Sequence, residues 1–140
     1  MQRLTSSFAT RTFARTAVAA PFATTAARFA PGDVPEPLRT EIADMIAQDR
    51  VVVFLTGTPQ QPRCGFTVRM VDLLKQFQVE YSFVNILEDD DVCEGLKAYS
   101  DWPTYPQMYV DKELVGGYDL VKQMALDGSL VKLLKEKELL

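Results

Sequence analysis

The chain has few cysteines. Two cysteines, Cys64 and Cys93, occur in 140 residues, too few for the disulfide framework of a small secreted domain. The position three residues after Cys64, where a disulfide-exchanging enzyme usually carries a second cysteine, holds Thr67. No run approaches the length of a membrane span, so no membrane partner is expected. Internal repeats are absent. Acids are missing from the first 32 residues, which contain Arg3, Arg11, Arg15 and Arg28. From Asp33 onward the balance inverts: 19 acids face the remaining 11 bases, a net charge of −8. An acidic body of this kind argues against nucleic acid and favours basic protein partners.

Two regions follow from this asymmetry. Met1 to Ala30 is rich in Ala, Ser, Thr and Arg and spaces Phe and Leu among the arginines. That is the composition of an organellar transit peptide, and its arginines point to the mitochondrial matrix. Arg11, Arg15 and the threonines interrupt the apolar core a secretory signal would need. The expectation is a cleaved, disordered segment over 1–30, removed between Arg28 and Pro31, and a folded domain over 36–140. A tail without an address is the alternative.

In the body, Pro35 and Pro37 introduce a helix with Leu38, Ile42, Met45 and Ile46 on one stripe. VVVFL (Val51–Leu55) reads as a strand buried on both faces. A helix follows from Cys64 to Phe77, then a strand over Tyr81–Ile86 and, after an acidic run, a short helix through Leu96 and Tyr99. QMYV and ELVGG, split by Asp111 and Lys112, predict a hairpin. Helices near Asp119–Ala125 and Ser129–Lys137 close the chain. The order α-β-α-β-α-β-β-α-α predicts an α/β domain with a four-stranded mixed sheet flanked by helices.

The chemistry centres on GTPQQPRCGFTVRM, Gly57 to Met70. A cysteine at a helix N-terminus meets unpaired backbone N–H groups and the positive end of the helix dipole, and both favour thiolate over thiol. Arg63 pushes the same way if it faces the sulfur, and Gly65 leaves room for a ligand against the backbone. The competing reading is a buried structural cysteine. A Gly/Pro-rich loop between strand and helix favours the surface instead.

Three segments resemble the monothiol glutaredoxins, in particular their single-domain mitochondrial branch. GTPQQPRCGFT is similar to the family's GTP-x-x-P-x-CGFS, WPTYPQ (Trp102–Gln107) to WPTIPQ, and GGYD (Gly116–Asp119) to GGCD. The resemblance implies a thioredoxin fold and a 2Fe-2S cluster bound at a dimer interface by the Cys64 thiolate and the thiol of a bound glutathione from each side. One chain offers one suitable cysteine and the cluster needs four thiolates, so two chains and two small thiols complete the set.

Carried over residue by residue, the resemblance makes Cys64 the cluster ligand. It also makes Thr104, Tyr105 and Pro106 a cis-proline segment whose backbone pairs with glutathione. Pro106 could instead be an ordinary trans turn proline. Asp119, beside Tyr118, would receive the γ-glutamyl amine, or act as a helix N-cap. Lys97 would help bind the glycine carboxylate, or be a solvated lysine. Departures accompany these matches. Thr56 stands where the family has a carboxylate-binding lysine, and Cys93 where relatives often place an arginine. Arg63 is expected to compensate from a new direction. Tyr118 replaces a cysteine, and Tyr105 an isoleucine. Cys93 either bridges to Cys64 or is a helix-surface thiol.

The expected function is transfer of a 2Fe-2S cluster in mitochondrial iron-sulfur assembly. Expected partners are a second copy of the chain, a scaffold with its chaperone, BolA-type proteins and recipient apo-proteins. The alternative is a glutathione-dependent oxidoreductase, in which Cys64 takes glutathione from a mixed disulfide and free glutathione then resolves it. A redox-inert adaptor that has lost its ligand is a third reading.

Overall fold

The computed structural model describes residues 28–140. The predicted transit peptide, 1–30, lies outside them except for Arg28, Phe29 and Ala30. Of these, Arg28 pairs with Asp91 and Phe29 packs against buried apolar side chains.

Strand β1 (Val51–Leu55) is the hub. It pairs parallel with β2 (Ser82–Asn85) on one side and antiparallel with β3 (Gln107–Val110) on the other. Beyond β3 lies β4 (Glu113–Gly116), giving the order β2-β1-β3-β4. All five residues of β1 are buried, as the unbroken apolar run predicts. The side chains alternate between two faces. Val52 and Phe54 join Tyr109 and Val84 beneath α1 (Leu38–Ala47) and α3 (Asp90–Ser100). Val51, Val53 and Leu55 join Met108, Val110 and Phe83 beneath α2 (Gly65–Gln76), α4 (Tyr118–Asp127) and α5 (Ser129–Glu136). The sheet is thus a middle layer with a hydrophobic core on each side. Val34, just ahead of the predicted domain start, is fully buried in the first of these cores.

The helix stripe Leu38, Ile42, Met45 and Ile46 is buried as its spacing requires. Asp111 and Lys112 both have positive φ, the geometry of a tight hairpin turn that matches strand twist. Asp111 also accepts a hydrogen bond from Arg50 Nε at 2.9 Å, which ties the hairpin tip to the start of β1. At the second strand the expectation was longer than the result: Ile86 begins a 3-10 turn because the Asn85 side chain accepts the Leu87 N–H.

Candidate functional site

Cys64 ends the loop after β1 and is the N-cap of α2, with extended backbone (φ −147°, ψ 142°). Its carbonyl accepts the Val68 N–H at 3.0 Å, while its side chain makes no capping bond. The residue is half-buried and the thiol unbridged. The reading of Cys64 as buried core is therefore replaced by a sulfur at the positive end of a twelve-residue helix.

The loop that delivers it is tightly determined. Gly57 has φ +100°, and a Cβ there would lie 2.5 Å from the Gln61 carbonyl oxygen and 2.8 Å from the Arg63 nitrogen. Only glycine fits both the conformation and the space. Its N–H donates to Asn85 Oδ1 at 3.0 Å, fastening the loop to the end of β2. Arg63 N–H donates to the Thr56 carbonyl at 2.8 Å. Thr67, in the place of a resolving cysteine, is fully buried, and its Oγ1 accepts the Thr56 N–H at 3.2 Å. That position is part of the joint between β1 and α2, closed to an incoming ligand.

A cleft of about 240 Å³ brings together Tyr105, Pro106, Tyr118 and Asp119, with Phe66 and Trp102 as further walls. The Tyr105–Pro106 bond is cis, as expected. Phe66, two residues beyond Cys64, is 46% exposed and tilts against Tyr118 with ring centroids 6.2 Å apart. Phe66, Trp102 and Gln107 belong to the quoted motifs but had no predicted role. Gln107 is fully buried; its Nε2 donates to the carbonyls of Trp102 (3.0 Å) and Thr104 (3.1 Å), and its Oε1 accepts from the Tyr109 hydroxyl. It braces the turn that carries Tyr105 and Pro106. Gly117 packs under Trp102, where a Cβ would stand 3.2 Å from Nε1 and 3.3 Å from the Pro106 carbonyl oxygen.

Other predicted residues fall differently. Asp119 is exposed in the first turn of α4, but Gly117 is the N-cap, so the capping alternative for Asp119 does not hold. Its carboxylate still sits at the positive helix end. Lys97 and Thr56 are outside the cleft lining. Lys97 Nζ donates to Glu94 Oε1 at 3.2 Å and lines a neighbouring hollow with Phe29 and Trp102. Arg63 is exposed and also outside the lining. Cys93 is half-buried against the core under α1 and α3, and does not bridge to Cys64. The expected helix-surface thiol is thus a partly packed one, and burial pushes its pKa up. The Tyr105 hydroxyl donates to the Cys93 carbonyl at 2.6 Å, and burial raises that phenol as well.

Known proteins bear on this arrangement. A glutaredoxin family model matches residues 51–115. A probable monothiol glutaredoxin 2 from Rickettsia typhi is 45% identical over 96 residues, covering 69% of this chain and 86% of that protein. The solved mature form of Trypanosoma brucei 1CGrx1 superposes with a TM-score of 0.66 at 30% identity, over 94% of this chain and 96% of that one. A buckwheat glutaredoxin–glutathione complex shares the fold, with a TM-score of 0.65 at 22% identity over 74% and 92% of the two chains. The chain spans only 20% to 43% of the length of four other curated glutaredoxins it matches. This chain belongs to the monothiol glutaredoxin family and has its thioredoxin fold.

Proposed function

We propose that this monothiol glutaredoxin carries a 2Fe-2S cluster as cargo, held between two copies of the chain, each contributing Cys64 and each binding one glutathione. The observation that carries the reading is the placement of sulfur. Cys64 sits uncapped and half-exposed at the α2 N-terminus, while the place of a resolving thiol is filled by the buried, hydrogen-bonded Thr67. Intramolecular dithiol exchange at this motif is therefore blocked, and the Cys64 sulfur remains available for ligation.

The donor set fits such a cargo only if it is shared. Iron-sulfur clusters take thiolates, less often imidazoles. The chain contains no histidine, and no group of three or more His, Cys, Asp or Glu side chains gathers among the described residues. One copy therefore supplies one ligand, and a second copy with two small thiols supplies the rest. The cis-proline turn lines the cleft with backbone for a peptide thiol to pair with, and Asp119 offers a carboxylate for its amine. Ligands contributed partly by diffusing molecules bind loosely, which suits hand-over. The proposed setting is the mitochondrial matrix. Its cargo would come from an assembly scaffold with its chaperone and go to recipient apo-proteins, with BolA-type proteins as further partners.

Anaerobic loading with iron, sulfide and glutathione tests the reading. Visible absorption of a 2Fe-2S centre is expected from the native chain and should vanish in Cys64→Ser. Equal colour in both proteins would refute it. A colourless native protein that reduces a glutathione mixed disulfide through Cys64 would replace it with the oxidoreductase reading.

A further inference from the structure

Segment 28–33, ahead of α1, runs along α3 and is tied to it at both ends. Arg28 pairs with Asp91 in the first turn of that helix, and its guanidinium stands 5.3 Å from the centroid of the Phe29 ring. Phe29 packs against the core that α1 and α3 cover. Pro31 and Gly32 then form a turn in which the Asp33 N–H donates to the Ala30 carbonyl at 2.9 Å. Proline second and glycine third, with φ +77° at Gly32, is the pattern of a type II turn. The turn aims the Gly32 N–H at the Ala98 carbonyl, 2.8 Å away. That carbonyl belongs to the last turn of α3, where helical partners run out, and its other donor, the Asp101 N–H, is distant at 3.4 Å.

Trp102 hangs from the same turn, its N–H donating to the Lys97 carbonyl at 3.1 Å. Its ring borders both the ligand cleft and the hollow of about 220 Å³ that Phe29 and Pro31 line from the other side. The indole Nε1 is buried without a hydrogen-bond partner among the described residues, so no polar bond fixes the angle of the ring. Packing and backbone must fix it instead. We propose that segment 28–33 is a strap that positions Trp102 from behind, through the end of α3, and so shapes a wall of the ligand cleft without touching the ligand. Removal of a leader between Arg28 and Pro31, the point expected from composition, would cut this strap, so the processing point is placed ahead of Arg28. The choice of glutathione as the ligand rests on the carrier reading above; the placement of Trp102 does not.

Trp102 is the single tryptophan of the chain, so intrinsic emission reports its ring directly. In the full chain, Phe29→Ala should shift that emission to longer wavelength and weaken glutathione binding about threefold, the size of effect that a remote packing change transmits. Phe29→Leu should keep both near native. Gly32→Ala, whose methyl has open space but whose φ is strained, should give the same changes in smaller degree and serves if Phe29→Ala does not fold. Ile46→Val, which trims the same core from α1, should change neither. A mitochondrial processing protease given the full chain should yield no product that begins after Arg28. Native emission or native glutathione affinity in a folded Phe29→Ala chain would overturn the inference. So would equal changes in Ile46→Val, or a processed chain that begins after Arg28. A native chain that binds no glutathione would sink the carrier reading, while the emission of the Phe29 and Gly32 variants would still decide whether the strap sets Trp102.

Discussion

Replacing Gln107 by leucine should loosen the ligand cleft from within the core. The side chain is fully buried, and three hydrogen bonds meet on it: two to the carbonyls of Trp102 and Thr104, one from the Tyr109 hydroxyl. A net hydrogen bond contributes about 1 kcal/mol, and buried partners left unpaired add to the loss. Leucine fills similar space and recovers part of it through apolar burial. The balance is a destabilisation of about 2 kcal/mol, or roughly 10 °C in Tm for a domain of this size. The functional effect is separable from it. Trp102 and Thr104 flank the turn that presents Tyr105 and Pro106, so glutathione affinity should fall about tenfold at a temperature where the variant is still folded. Tyr109→Phe provides the control, because it removes the third bond and leaves both carbonyl bonds in place. It should cost about 1 kcal/mol and leave glutathione affinity within twofold of the native value. Thermal melts by circular dichroism and titration calorimetry read the two quantities. Native affinity in a folded Gln107→Leu protein would refute the bracing role.

Two further outcomes follow from buried groups. The Tyr81 hydroxyl is fully buried and without a partner among the described residues, so Tyr81→Phe should stabilise the domain by about 1 kcal/mol in urea unfolding at neutral pH. Burial also pushes the Tyr81 phenol up to about 12, above its value of about 10 in the unfolded chain. The stability tied to its neutral form is present below pH 10 and lost as pH rises through 12, so the phenylalanine variant should show a shallower alkaline decline; an unchanged decline would contradict this. Burial raises the Cys93 thiol too, so at pH 8 iodoacetamide should label Cys93 slowly in the folded protein and fast in urea. Rapid labelling of folded Cys93 would show that the packing around α3 is wrong.

The layers were legible because they rest on local pattern. VVVFL announces a strand covered on both faces, and the Leu38–Ile46 stripe announces a helix over a core. The Asp111–Lys112 pair sits between two short apolar runs, which is enough to mark a hairpin. The placement of Cys64 followed from a loop-to-helix transition, and the cis bond before Pro106 from the resemblance of its motif. What stayed illegible depends on bonds that jump along the chain. Thr67 to Thr56 spans eleven residues, Asn85 to Gly57 spans 28, and Tyr105 to Cys93 spans twelve. Nothing in the local sequence tells which distant backbone group each of these side chains will bond. Asp119 shows the same limit at a helix end: the cap moved by two residues to Gly117, because Tyr118 already joins α4. Arg63 shows it for charge: its side chain is exposed and, like that of Cys64, outside the cleft lining.

Native mass spectrometry of the cluster-loaded protein, with free glutathione removed, tests the sharing of ligands most directly. The predicted species is two chains, one 2Fe-2S unit and two glutathiones, which falls apart to single chains when the cluster is lost. A loaded single chain, or a loaded pair without glutathione, would contradict the account.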